Sequence, residues 1–338
     1  MIKNRLFIMA LALTGASVAM ADEQQLNLYS ARHYQTDERL YENFTKQTGI
    51  KINRIEGKED ELMARIRSEG ANSPADVFIT VDASRLALAD ALGLFAPVKS
   101  ALLASRIPAH LRTDTWFAFS TRARVIIYNR NAVKAADVQT YESLADPQLK
   151  GKLCSRSGSH PYNLSLVSSL IANNGEAQTE AWAQGVVANF ARTPKGGDTD
   201  QIKSVASGEC GVAVSNTYYL ARLLRSEKLE DRRMMERVGI VWPNQSNRGA
   251  HINISGAGVV KTSKHADVAI KFLEYLASDD AQRYFADGNN EWPVVPSVVI
   301  DNPALNALGR FKADQLPISA LAKNLVVAQK LLDRAGYR

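Results

Sequence analysis

Four tyrosines stand where a folding core alone has little need of them. Tyr34 follows His33 directly, just after the apolar run Leu26-Asn27-Leu28-Tyr29-Ser30 breaks off. Tyr162 falls in Ser157-Gly158-Ser159-His160-Pro161-Tyr162-Asn163, a turn that opens a helical stretch. Tyr218 and Tyr219 are adjacent and follow Ala213-Val214-Ser215-Asn216-Thr217, again where a strand gives way to a helix. Taken singly, each is an ordinary amphipathic residue at a core edge. Placed together at three strand-to-helix turns, they point to one crevice. A free phenol has a pKa of about 10 and is a poor anion at neutral pH. A hard, highly charged cation prefers anionic oxygen, and as the largest local charge it offsets the cost of deprotonation. Several tyrosines converging with one histidine therefore read as a site for ferric iron.

Other chemistries find no support. The sequence has no HExxH, GxSxG, P-loop or strand-linked GxGxxG pattern. Gly196-Gly197 and Gly256-Ala257-Gly258 are isolated and are expected in turns. The five histidines are scattered, with no pair at the i,i+4 spacing of a metal-binding helix face, and nothing selects a nucleophile and its base. A secreted enzyme is thus the weakest of the readings. The 338 residues carry a net charge of +6, but the basic residues lie among acids and form no tract, so no nucleic-acid module is expected. With 46% hydrophobic residues the chain can bury a sizeable core, and its length suits about two domains.

The first residues read as a leader. Lys3 and Arg5 precede an apolar run over 6–18, and Ala19-Met20-Ala21 offers the small residues that signal peptidase inspects. Residues 1–21 are expected to be a signal peptide cleaved before Asp22. The run is shorter than the ~20 residues that span a bilayer, and no Cys follows it to carry a lipid. Export to an oxidising compartment favours a disulfide between Cys154 and Cys210; a two-Cys metal site is the alternative, with no CxxC or Cys/His spacing behind it.

The elements that must position the tyrosines follow from periodicity. Strands are expected at 26–30, 50–53 and 75–80, alternating with helices at 37–47, 59–69 and 84–92, a rhythm that argues for a parallel sheet with helices on both faces. Residues 116–128 are strand-rich, and 141–149 reads as a helix. A second α/β unit is expected to about Trp242, with helices near 162–174, 176–191, 199–207 and 216–226. Strand returns at 252–261, followed by helices at 266–277, 279–286, 303–311 and 317–334. Two α/β lobes without a long linker suggest a clam-shell that binds its ligand in the crevice at the carboxyl ends of the strands.

The strings Leu28-Tyr29-Ser30-Ala31-Arg32-His33-Tyr34, Ser73-Pro74-Ala75-Asp76-Val77, Asn216-Thr217-Tyr218-Tyr219 and His251-Ile252-Asn253-Ile254-Ser255-Gly256 resemble the periplasmic ferric-iron-binding proteins of bacterial ABC importers. The likeness runs from Leu26 to about Pro296. It is nearest to the branch that binds iron through one His and four Tyr without a synergistic anion. The resemblance implies Tyr34, Tyr162, Tyr218 and Tyr219 as phenolate ligands, with His33 as a fifth. It also implies an α/β, two-lobe type II periplasmic-binding-protein fold with two interlobe crossovers, placing 22–120 with 250–298 in an N-terminal lobe and 121–249 with 299–338 in a C-terminal lobe. The expected partners are an inner-membrane permease and its ATPase, the expected location is the periplasm, and the expected state is a monomer. Fe2+ is a second candidate cargo because imidazole suits divalent ions. The same fold could instead take a small anion or organic solute such as phosphonate, sulfate or thiamine.

Arg122 and Arg124 share one face of a strand, and Arg222 lies one helical turn after Tyr219. A guanidinium keeps its proton and so favours a neighbouring phenolate; the plainer alternative is that all three are solvated or paired with acids. Asp76 and Asp82 look structural, and His160 and His251 read as hydrogen-bonding neighbours of the site.

Overall fold

The computed structural model describes residues 24–32 and 34–338; the leader expected over 1–21 and His33 lie outside the described residues. The expected alternation opens the chain: β1 (Gln25–Ser30), α1 (Asp37–Thr48), β2 (Lys51–Glu56), α2 (Glu59–Glu69), β3 (Val77–Thr80) and α3 (Ala83–Ala91). α1 buries Leu40, Tyr41 and Phe44 along one stripe and ends at Gly49, whose left-handed φ of 73° lets the chain turn away. Next come α4 (Ala101–Arg106), β4 (Trp116–Asn129), β5 (Leu153–Cys154), α5 (Pro161–Asn174), α6 (Glu176–Ala188), α7 (Asp198–Ser207), β6 (Val212–Asn216), α8 (Thr217–Leu224), α9 (Leu229–Glu236) and β7 (Val238–Val241). The chain finishes with β8 (Ile252–Val259), α10 (Ala266–Leu276), α11 (Asp279–Asn289), β9 (Trp292–Pro293), α12 (Pro303–Ala307) and α13 (Ile318–Ala335).

The strand order is β2-β1-β3-β8-β4-β6-β5, with β7 and β9 also paired to β4. β1 pairs in parallel with β2 and β3, and β5 with β6, as the alternation predicts. β8 and β4 depart from a wholly parallel sheet: each enters antiparallel, Phe78 opposite Gly258 and Phe117 opposite Ala257. β4 is the reason both halves share one sheet. Its first part, Trp116–Ala123, pairs with β8, and its second part, from Arg124, pairs with β6 and β7.

The core divides in the same way. One cluster joins Leu28, Phe44, Phe78, Phe119, Phe272 and Phe285 around the first part of the sheet. Beyond Arg124, alternate residues of β4 face opposite sides, as the period of two requires. Val125 and Ile127 pack with residues of α7 and α8, while Ile126 packs with α5, α6 and α13. Cys154 and Cys210 form a disulfide within the former cluster, with a Cα–Cα distance of 5.8 Å. α13 spans the divide, with Ile318 and Leu321 in the first core and Leu325 to Leu332 in another.

Three local expectations give way. Residues 141–149 are two short 3₁₀ turns, Glu142–Ala145 and Pro147–Leu149, because Asp146 before Pro147 is held extended (φ −64°, ψ 129°). Gly256 and Gly258 lie inside β8 and not in a turn. A Cβ at Gly256 would fall 2.5 Å from Leu86 Cδ2, and one at Gly258 would fall 2.5 Å from Phe95 Cδ1, so the packing there admits only hydrogen. α4 and α9 were not anticipated; α9 buries Met235 alone and has almost no apolar pattern to read.

Candidate metal centre

The three strand-to-helix turns do deliver their tyrosines to one place. Tyr34 follows β1, and its carbonyl accepts the N–H of Asp37 at the start of α1 (3.0 Å). Tyr162 occupies the first turn of α5, behind Pro161. The Nδ1 of His160 accepts the Tyr162 N–H (3.2 Å), which fixes where that helix begins. Tyr218 and Tyr219 lie in the first turn of α8, which grows directly from β6. Both helices thus present their tyrosines at N-termini, where the macrodipole favours negative charge.

The rings touch across these segments. The hydroxyls of Tyr162 and Tyr218 are 3.1 Å apart. The Tyr34 ring meets that of Tyr218 edge-on at 5.7 Å, and Tyr219 lies against Tyr218 at 4.2 Å. Tyr162 and Tyr218 are buried, Tyr34 and Tyr219 partly so. Two cavities abut the tyrosines: one of about 480 Å³, lined by Tyr162 with Lys58, Glu59 and His160, and one of about 400 Å³, lined by Tyr34, Tyr218 and Tyr219 with Arg222 and Asn290. Among the described residues no group of three or more His, Cys, Asp or Glu could hold a metal; the oxygens gathered here are four phenols, with one carboxylate, Glu291, beside Tyr34.

Burial sets the resting state of the cluster. It pushes the Tyr34 phenol well above its ordinary value, Glu291 and Tyr162 add to this, and Arg122 and Arg32 oppose it. Tyr218 is raised likewise, by burial first and then by the neighbouring tyrosines. Tyr162 is raised by burial and Tyr219 against the pull of Arg122. These phenols are therefore neutral until a strong cation displaces their protons.

The arginines differ in how they serve the cluster. Arg122 is fully buried; its Nη1 donates to Ser255 Oγ (2.9 Å) and lies 3.6 Å from Glu291, while Nε and Nη2 have no partner. Burial depresses its pKa, but the fields of Glu291, Tyr34, Tyr162 and Tyr218 outweigh that and raise it. Arg124 follows the plainer alternative, paired with Asp198 (2.9 Å) and also bonded to Asn163 and Asn216. Arg222 is exposed, bonded to Thr199 (3.1 Å) and stacked over Tyr219 at 5.2 Å.

Three residues escaped sequence reasoning. Arg32 grips Asp37 through Nε (2.6 Å) and Nη2 (3.1 Å) and covers the Tyr34 ring at 4.7 Å. Arg156 pairs with Asp198 (2.9 Å) and lies 5.0 Å over the Tyr162 ring. Glu291 is a buried carboxylate that accepts from the Tyr34 hydroxyl (3.4 Å) and Ser120 (2.8 Å). No local signal marks Glu291, because its partners, Arg32, Tyr34, Ser120 and Arg122, all lie far from it in the sequence. His251 is buried with Nε2 unpartnered, and burial plus nearby Arg124, Arg122 and Arg248 push its pKa down to about 3. Asp76 accepts from Asn27 and Ser263, and Asp82 caps α3.

Residues 39–313 match the family described as bacterial extracellular solute-binding protein. The chain is 49% identical over 319 residues to iron uptake protein A1 of Synechocystis, covering 94% of this chain and 88% of that one. A Trichodesmium structure in complex with iron and citrate superposes with a TM-score of 0.87 at 52% identity, covering 93% of this chain and all of the other. The ferric binding protein of Campylobacter jejuni superposes at 0.88 and 45% identity, again over 93% and 100%. The thiamine-binding periplasmic protein of Escherichia coli is more distant, at 24% identity over 69% of this chain and 68% of that one.

Proposed function

The chain belongs to the bacterial extracellular solute-binding proteins, and from that footing we propose that it is a ferric-iron receptor that captures Fe3+ in the crevice of a two-lobe α/β fold. The carrying observation is the convergence of Tyr34, Tyr162, Tyr218 and Tyr219 from three distant segments, with the hydroxyls of Tyr162 and Tyr218 3.1 Å apart. Iron is the cargo, and the four phenolates are its ligands, with His33 as a fifth donor. The likeness to an iron uptake protein and to iron-binding structures supports the same reading.

The lobes are assigned as 22–120 with 250–298 and 121–249 with 299–338, joined through β4 and the passage into β8. Tyr162, Tyr218 and Tyr219 belong to the second lobe, and Tyr34 with His33 to the first. Capture is then hinge closure: the second lobe offers oxygens to Fe3+, and the first completes the shell as the crevice shuts. Arg122 stabilises the phenolates once their protons have gone, and Arg222 screens Tyr219 at the crevice mouth. Closure brings both lobes into one relative position, which an inner-membrane permease driven by its ATPase can recognise. The leader over 1–21 delivers the protein to the periplasm, where it works as a monomer. Opening of the crevice, or reduction to Fe2+ with its weaker attraction for phenolate, releases the ion.

Equilibrium dialysis against Fe3+, Fe2+, sulfate and thiamine tests the assignment. Tight retention of Fe3+ that falls at least about 100-fold in Tyr218→Phe is expected, since even second-layer changes cost metal sites 10–100-fold. Retention of thiamine or sulfate without iron would contradict it.

A further inference from the structure

Glu291 is a buried charge in the centre to which the ligand set assigns no task. Oε2 accepts from Ser120 Oγ (2.8 Å) and lies 3.4 Å from Arg32 Nη1; Oε1 accepts from the Tyr34 hydroxyl and lies 3.6 Å from Arg122 Nη1. With a guanidinium facing each oxygen, the carboxylate is disposed to act as a countercharge and not as a further ligand. We propose that Glu291 is the built-in counter-anion of this centre, setting its net charge so that the iron complex needs no anion from solution. The inference rests on the iron reading above.

The relevant charges are those of the buried and half-buried side chains that face the tyrosines or pair with one that does; Asp82, bonded to Ser165 and Asn253, lies outside that set. Asp37 is matched to Arg32 (2.6 Å), and Asp198 is shared by Arg124 and Arg156 (2.9 Å each). Two arginines on one aspartate, with Arg122 set against Glu291, leave a surplus of one positive charge. Fe3+ bound by four phenolates carries one negative charge, so complex and shell cancel where an unbalanced charge is costly. Neutralising Glu291 doubles the surplus. Arg122 would then draw a replacement, because its Nε and Nη2 are buried without a partner. These two N–H groups share one edge of the guanidinium and match two oxygens of a small oxyanion. Arg32 cannot offer the same edge, since its Nε and Nη2 are held by Asp37.

Iron affinity measured by chelator competition, in bicarbonate-free buffer and with bicarbonate added, tests this. The wild type should change by less than about twofold on adding bicarbonate, whereas Glu291→Gln should bind at least about tenfold more weakly without it and recover with it. Glu291→Asp keeps the charge and should stay indifferent to bicarbonate. The pair Arg122→Gln/Glu291→Gln removes one charge of each sign and should also be indifferent. This pair and the wild type carry the test if the single variant does not fold. A Glu291→Gln protein as indifferent as the wild type, or a wild type or double variant that needs bicarbonate, overturns the inference alone. A wild type that takes up no iron overturns the functional reading with it.

Discussion

At the residue scale the account turns on protons. Burial raises Tyr34, Tyr162 and Tyr218, so their phenols are neutral before iron arrives, and a proton must leave each one that becomes a ligand. The sign follows: protons are products of binding, so affinity rises with pH and falls in acid, by about one decade per pH unit for each phenol ionised. Competition titrations between about pH 6 and 8 should give a slope of several protons per iron; a flat profile would mean that the tyrosines do not ligate. Tyr162, Tyr218 and Tyr219 were legible because their neighbours mark helix starts. Glu291 was not, since it meets Arg32 across 259 residues of sequence and a lone Glu after two asparagines resembles any exposed turn. Arg122 and Arg124 looked alike in sequence. Only the fold separates them, giving Asp198 to Arg124 and leaving two N–H groups of Arg122 unpartnered.

At the element scale, periodicity served where one face of a helix meets one core, as in α1 with Leu40, Tyr41 and Phe44. It failed where long-range packing decides, as at Gly256 and Gly258, whose small size answers to Leu86 and Phe95. His251, just before β8, yields a prediction about stability. Its pKa is about 3 in the fold against about 6.5 when unfolded. Below pH ~6.5 the unfolded chain binds a proton that the native one refuses. The stability contributed by the neutral side chain is therefore complete above that pH and lost as pH falls toward 3. Thermal melts should show this decline, with a shallower slope in His251→Asn. The disulfide is a second test. It closes a loop of 56 residues, for which chain entropy gives about 4 kcal/mol. Reduction should lower the denaturant midpoint accordingly while leaving the tyrosine cluster, built from other segments, able to take iron.

At the scale of the whole molecule, the two-lobe organisation was legible from the return of α/β rhythm after a strand-rich middle. What the sequence concealed is that one fourteen-residue strand, β4, serves both halves. The crevice is also tied at a second point. Ser165 on α5 donates to both oxygens of Asp82 (3.1 and 2.9 Å), which caps α3 and receives Asn253 (2.7 Å). Hydrogen bonds to a buried carboxylate contribute about 1.5–3 kcal/mol. Ser165→Ala should accordingly favour the open form, weakening iron binding about tenfold or more and giving a larger radius of gyration by X-ray scattering at subsaturating iron. An unchanged radius and affinity would remove this contact from the closing mechanism. The central claim, that phenolates from distant segments hold one ferric ion, is tested most directly by resonance Raman spectroscopy of the iron-loaded protein. Excitation in its visible charge-transfer band should enhance tyrosinate ring modes, and Tyr218→Phe or Tyr219→Phe should shift and weaken them. Iron bound tightly with no such modes, or modes indifferent to both substitutions, would contradict the account.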